Sequence, residues 1–320
     1  MKQSRYFKKL FLILGFMLST GALFAQQDAL YSQYMFNGLV LNPAYAGNKG
    51  ILNVNLVNRN QWARQKIAGA PRTQAFTADG IFNDGKVGLG LHVINDELGA
   101  QKQFSAMFSY AYKISLSEET KLSFGVSGGV SNFSLDGTKL TYNQENDHAI
   151  PSDVISNLTP DFSGGIYLSN DKYYVGVSTT HLLTLKHVDH FADYMNGNRH
   201  YFATAGYIWQ VSPTLKVYPS SLLRTDLKGP MDLDLNASLI INDKIGLGGS
   251  YRTSAGREYK SNSAVAMMQL YLFDSKMRLG YSYDFDLANF GVPRNSHEIS
   301  IGYLIPGKTI WKSHASPRYY

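Results

Sequence analysis

Beyond residue 50 the chain alternates apolar and polar positions with a period of two. "GILNVNLV" puts Leu52, Val54 and Leu56 on one face. "KVGLGLHVIND" puts Val87, Leu89, Leu91 and Val93 opposite Lys86, Gly88, Gly90 and His92. "FSAMFSYAYKISL" alternates over 13 residues from Phe104 to Leu116. "MDLDLNASLII" sets Met231, Leu233, Leu235, Ala237, Leu239 and Ile241 against Asp232, Asp234, Asn236 and Ser238. Such runs are strands with one face buried in an apolar medium. Counted along the whole chain they predict about 14 strands, among them the unbroken run "YFATAGYIWQV" from Tyr201 to Val211 and the less regular "TQAFTADGIF".

The connections alternate as well. Tight turns are expected at "NDG" (83–85), "SEET" (117–120), "ND" (170–171), "SP" (212–213), "ND" (242–243) and "DS" (274–275). Longer links fall near 60–73, 95–102, 133–160, 180–199, 224–230, 252–262 and 286–296. Short turns at one rim and long loops at the other are the habit of a transmembrane β-barrel. The expected fold is therefore all-β: an antiparallel outer-membrane barrel with short periplasmic turns and long extracellular loops. Closure follows from backbone chemistry, because an open sheet edge in lipid leaves amides and carbonyls unpaired. Most runs reach the roughly 9–11 residues that a tilted strand needs to cross a bilayer. Tyr112, Tyr173, Trp209 and Tyr283 fit aromatic girdles at the interfaces. The polar face would line the lumen, with Asp232, Asp234 and Asn236, and Asp284 and Asp286 on another strand, balanced by Lys244, Arg252, Lys276 and Arg278. A soluble secreted β protein is the competing architecture.

Composition supports export. "MKQSRYFKK" carries four positive charges, an apolar run of about 16 residues follows, and "QQD" turns polar. The run is short for a spanning helix, which takes roughly 20 residues. Residues 1–25 are read as a signal peptide, 26–50 as a periplasmic or lumen-packed segment, 51–306 as the barrel and 307–320 as a short periplasmic tail. Removing the four basic residues of the signal from 30 leaves 26 against 24 acidic ones, a charge of +2. The basic character of the full chain is thus no nucleic-acid footprint. With no cysteine there are no disulfides, thiolate metal sites or lipidated N-terminal Cys. Tyr 22, Phe 17 and Gly 29 are high counts that suit aromatic belts and a roomy lumen.

Motifs for chemistry are weak. The carboxylates at 232, 234, 284 and 286 could do acid–base work, but a charge-balanced lumen accounts for them. His187, Asp189, His190 and Asp193 lack a third ligand of clear spacing, so no metal is expected. The G-x-G strings at Gly88–Gly90 and Gly246–Gly248 sit inside strands and open no helix, which excludes a dinucleotide loop. No G-x-S-x-G occurs. No catalytic residue and no cofactor are expected.

The stretch "DALYSQYMFNGLVLNPAYAGNKG" (28–50), neither clean strand nor clean helix, precedes the first strand. It resembles the N-terminal signature of the PorP/SprF family of type IX secretion and gliding-motility proteins. The resemblance continues in "NRNQW" (58–62), "GLGLHVINDELG" (88–99), "FGVSGGVSNF" (124–133), "TPDFSGGIYLSNDKYYVGVSTTHLL" (159–183), "GPMDLDLNASLIINDKIGLGGSYR" (229–252), "MRLGYSYDFDL" (277–287) and "SHEISIGYLI" (296–305). It implies a non-enzymatic accessory outer-membrane component that helps export or anchor large surface adhesins bearing C-terminal secretion domains. It also implies partners: the secreted cargo, a periplasmic ring lipoprotein and motor components. The chain ends about 15 residues after the last strand, so the added peptidoglycan-binding domain of some relatives is not expected. The alternative is a porin-like channel for small solutes.

Within the opening stretch, Tyr31, Tyr34, Phe36 and Tyr45 offer rigid anchors, Asn37 and Asn42 can satisfy nearby backbone, and Pro43 with Gly47 sets a turn. The segment is expected to plug the lumen or to dock partners at the rim; an irregular extra strand is the plainer reading. Of the lumen residues, Asp232, Asp234, Asn236, Arg252 and Arg278 are the candidates to meet it. The 133–160 and 180–199 connections are expected to meet cargo outside.

Overall fold

The computed structural model describes residues 31–63, 68–140, 153–183, 199–255, 262–287 and 295–305. The expected signal peptide, residues 26–30, the tail 307–320, most of the 180–199 connection and the His187–Asp193 cluster lie outside the described residues.

The alternating runs form β1 (Leu52–Asn60), β2 (Arg72–Phe82), β3 (Val87–Leu98), β4 (Gln101–Ser115), β5 (Lys121–Asp136), β6 (Val154–Ser169), β7 (Tyr173–Thr180), β8 (His200–Tyr207), β9 (Trp209–Ser212), β10 (Leu215–Thr225), β11 (Met231–Ile241), β12 (Ile245–Ala255), β13 (Asn262–Leu272), β14 (Met277–Asp286) and β15 (Ser296–Ile305). Each is antiparallel to its neighbours, and β1 pairs with β15 from Leu52↔Ile305 to Asn60↔His297. The β10–β11 ladder completes the ring. β8 and β9 are two halves of one wall position: β10 pairs with β9 through Leu215–Val217 and with β8 through Ser220–Thr225. The wall is therefore a closed antiparallel barrel of 14 positions. The run 201–211 expected as a single strand breaks at Ile208, whose side chain is buried and whose amide donates to the Lys172 carbonyl at 2.6 Å.

The period of two sorts the faces. On β1, Asn53, Asn55, Val57 and Arg59 are buried while Leu52 and Leu56 face out. On β11, Asp232, Asp234, Asn236 and Ser238 are buried and Met231, Leu235 and Leu239 face out. The molecule is thus inverted relative to a water-soluble protein: polar within, apolar without, as lipid demands. No helix among the described residues is long and apolar enough to cross a membrane. Tyr112 and Trp209 project outward; Tyr173 and Tyr283 are half-buried.

Turn chemistry sets one rim. Asn83–Asp84 (φ 46° and 53°) and Asn242–Asp243 (φ 52° and 54°) hold paired left-handed residues. Two such residues in succession match the twist of flanking strands, and Asn and Asp tolerate that region best. Two connections at the other rim depart from expectation. The 95–102 link is no long loop, because β3 and β4 stay paired to Leu98↔Gln101 and turn at Gly99 (φ 60°). The 133–160 link is shorter than expected, because β5 and β6 remain laddered to Asp136↔Val154. β7 covers β6 only along Gly164–Ser169, so the β5–β6 hairpin stands above its neighbour.

Candidate functional site

Residues 31–50 sit inside the ring. Asn37, Gly38, Asn42 and Pro43 break the run into short turns. The segment folds as a 3-10 turn at Tyr34–Phe36, one helical turn at Gly38–Leu41 and a second 3-10 turn at Pro43–Tyr45. Asn42 builds the last: its Oδ1 accepts the Ala44 amide at 2.9 Å, and Pro43 supplies a backbone already set for the turn. Its Nδ2 reaches the wall, donating to the carbonyls of Ile166 (3.0 Å) and Val177 (3.2 Å). Ser178 Oγ donates to the Leu41 carbonyl at 2.5 Å.

The segment runs from the loop rim, near Tyr31, to the tight-turn rim, near Gly50. At the turn end the Gly47 amide donates to Asp79 Oδ2 at 2.8 Å, and Asn53 Nδ2 holds the other carboxylate oxygen at 2.8 Å. Lys49 is buried beside them; desolvation pushes its ammonium down to about 8, with Arg278 adding to the effect and Asp79 opposing it. At the loop end Glu298 accepts two consecutive backbone amides, Ser32 N–H and Gln33 N–H, each at 2.8 Å. Arg59 ties this contact together, donating to Ser32 Oγ (2.7 Å), Asp284 (2.6 Å) and Glu298 (3.2 Å). Arg252 joins Asp284 (3.6 Å) to Asp234 (2.6 Å) and donates to the Tyr31 carbonyl. Between the two ends Arg278 lies 3.8 Å over the Phe36 ring and donates to Ser300 Oγ at 2.8 Å, which in turn donates to Gln33 Oε1 at 2.7 Å. Tyr34 Oη meets Ser220 Oγ at 3.0 Å, and Tyr45 packs edge-on to Tyr167 at 5.6 Å.

Of the residues singled out in the segment, all seven are buried against the wall. Asn37 alone among them keeps both amide atoms without a partner among the described residues. Of the lumen candidates, Asp234, Arg252 and Arg278 belong to the contact network. Asp232 instead pairs with Arg224 and accepts Ser254 Oγ, and Asn236 holds Met267 Sδ and Ser238. Lys244 and Lys276 do not balance the lumen: both lie in tight turns, outside the strand alternation, and are exposed. Among the described residues the buried cations are Arg59, Lys113, Arg224, Arg252 and Arg278 of the wall and Lys49 of the segment. Sequence reasoning missed Arg59, Asp79 and Glu298; the available signal was a lone charge on the polar face of an alternating strand.

The family model for the type IX secretion system membrane protein PorP/SprF matches residues 23–303. The chain belongs to the PorP/SprF family. No curated protein matches the sequence. Among solved structures the chain is similar to CymD, a monoaromatic hydrocarbon channel, at 11% identity over 85% of this chain and 94% of that one, with a TM-score of 0.54. It is also similar to the Ralstonia pickettii toluene transporter TbuX (12%, 84% and 93%, TM-score 0.49) and to the Acinetobacter baumannii outer membrane protein Omp33 (8%, 80% and 98%, TM-score 0.47). At these identities the likeness concerns the barrel. This PorP/SprF protein is a type IX secretion membrane component of the bacterial outer membrane.

Proposed function

We propose that this PorP/SprF protein is a non-enzymatic accessory barrel whose own N-terminal segment closes the lumen, and that it helps export or anchor large surface adhesins bearing C-terminal secretion domains. Its periplasmic side would meet the ring lipoprotein and motor components, which ties it to gliding motility. The loop rim, with the 137–153 connection and the region following Leu183, would meet cargo. The observation that carries this reading is the filled lumen: a stretch of 20 residues, 31–50, is bonded to β1, β2, β6, β7, β10, β12, β14 and β15. A lumen filled in this way suits a fixed attachment point, which gains rigidity from it, better than an open diffusion pore.

The test is affinity purification of the tagged chain from a detergent extract of its native membrane. Recovery of a large secreted protein together with periplasmic secretion components is expected. Recovery of the barrel alone, with steady ion conductance in a planar bilayer, would overturn the reading in favour of a small-solute channel.

A further inference from the structure

The segment does not fill the lumen evenly. Toward the loop rim it leaves a cavity that is partly open to solvent. Leu39 and Leu41 of the segment form one side, Met107 and Phe202 another. The lining also contains two carboxylates, Asp96 and Asp161, and no lysine or arginine. Asp161 is 4% exposed. Its Oδ2 is held by Ser131 Oγ at 2.9 Å and by His181 Nδ1 at 2.6 Å. Its Oδ1 has no partner among the described residues, nor have Ser127 Oγ and His92 Nδ1, two further lining groups exposed by only 4% and 7%.

We infer that this cavity is a binding site for a single ammonium or guanidinium group carried on an apolar stem, with Asp161 receiving the head. A buried carboxylate oxygen without a donor is costly, and a charged donor satisfies it best. Ser127 and His92 can accept the remaining N–H groups of the same head, since a hydroxyl and a neutral imidazole each offer a lone pair. The apolar walls fit a stem of several methylenes or a ring. A bare metal ion fits less well: among the described residues no three His, Asp or Glu groups converge. Lysine and arginine side chains of a polypeptide and free alkyl amines share this chemistry. The site stands on its own geometry and does not rest on the secretion reading.

The experiment is calorimetric titration of the full detergent-solubilised protein with n-butylammonium and with an N-acetylated lysine amide, against n-butanol and the N-acetylated norleucine amide. Saturable binding of at least one cation is expected, with the neutral counterpart roughly tenfold weaker or more. Binding of the lysine amide alone marks a polypeptide ligand; binding of butylammonium alone marks a free amine. Asp161→Asn is expected to weaken the cation by a similar factor and leave any neutral binding alone. Should that variant fail to fold, Met107→Trp fills the apolar side without touching the carboxylate and is expected to abolish binding. Equal affinity for cation and neutral analogue, unchanged affinity in Asp161→Asn, or no saturable binding of either cation overturns the inference. None of these outcomes bears on which proteins the barrel copurifies with.

Discussion

Glu298 shows how a residue inherits its task from its place in the ladder. On β15 it faces inward by alternation, is fully buried, and spends both oxygens on successive amides of the segment while Arg59 neutralises it. Truncating one member of such a buried pair leaves an uncompensated charge and costs about 3–5 kcal/mol. Replacing Glu298 by Ala is therefore expected to free the segment's outer end, seen as new chymotryptic cleavage near Tyr31 and Tyr34; an unchanged digestion pattern would count against the contact. Lys49 gives a pH-dependent counterpart at the other end. Its ammonium ionises near 8 in the folded chain, against about 10.4 in an unfolded one. Between those values the unfolded state binds more protons, so stability rises with pH. The penalty is complete below about 8 and gone above about 10.4, and amounts to roughly 3 kcal/mol. Comparing thermal midpoints in detergent, the advantage of Lys49→Met over the native chain is expected to shrink steadily across that window. Parallel curves would contradict the buried, desolvated position of Lys49.

At the scale of elements, the segment needs seats in the wall, and strand glycines provide them. A methyl group at Gly88 would strike the Ala46 carbonyl, one at Gly125 the backbone of Pro43 and Ala44, and one at Gly165 the Asn42 side chain. Gly125→Ala pits a new Cβ against backbone that cannot step aside, with an overpacking cost of about 1–3 kcal/mol. Gly164, across the β5–β6 ladder, is the control, since its added Cβ comes no nearer than 3.8 Å to the end of Leu182. Trypsin can cut the segment only at Lys49. Cleavage there is expected to speed up in Gly125→Ala and stay at the native rate in Gly164→Ala; equal rates in both would remove the seat argument. The strands themselves were legible, because a lipid-facing wall imposes a strict two-residue period. Asn–Asp turns were legible through their left-handed pairs. The break at Ile208 was not, since the alternation reads on through it and only the Lys172 carbonyl draws its amide aside. Nor was the tight turn at Gly99, where polar residues suggested a loop but ladder pairing carries them to the rim.

For the whole molecule, closure and filling are separate problems with different legibility. Closure follows from local pattern and lipid together: alternation along each strand and short turns between them set the wall, and lipid requires its edges to pair, whatever the ring contains. Filling is written in long-range pairs, such as Ser32 with Glu298 and Arg59 with Asp284, which no periodicity connects. The aromatic and asparagine residues of 31–45 were visible as oddities; the charges that receive them were not, because one inward Glu or Arg looks like any other lumen residue until the barrel brings it round. The segment's oddity and the lumen's surplus of glycine and charge are thus two halves of one design, and the barrel without its segment is expected to be a hole. A chain lacking residues 31–46 keeps every strand and turn, so it is expected to refold into detergent with the native heat-sensitive migration on gels. In planar bilayers it is expected to show large, steady conductance steps, whereas the intact chain shows none. Equal conductance in the two would mean that ions already pass beside the segment, and the closed-barrel reading would fail even though every strand is in place.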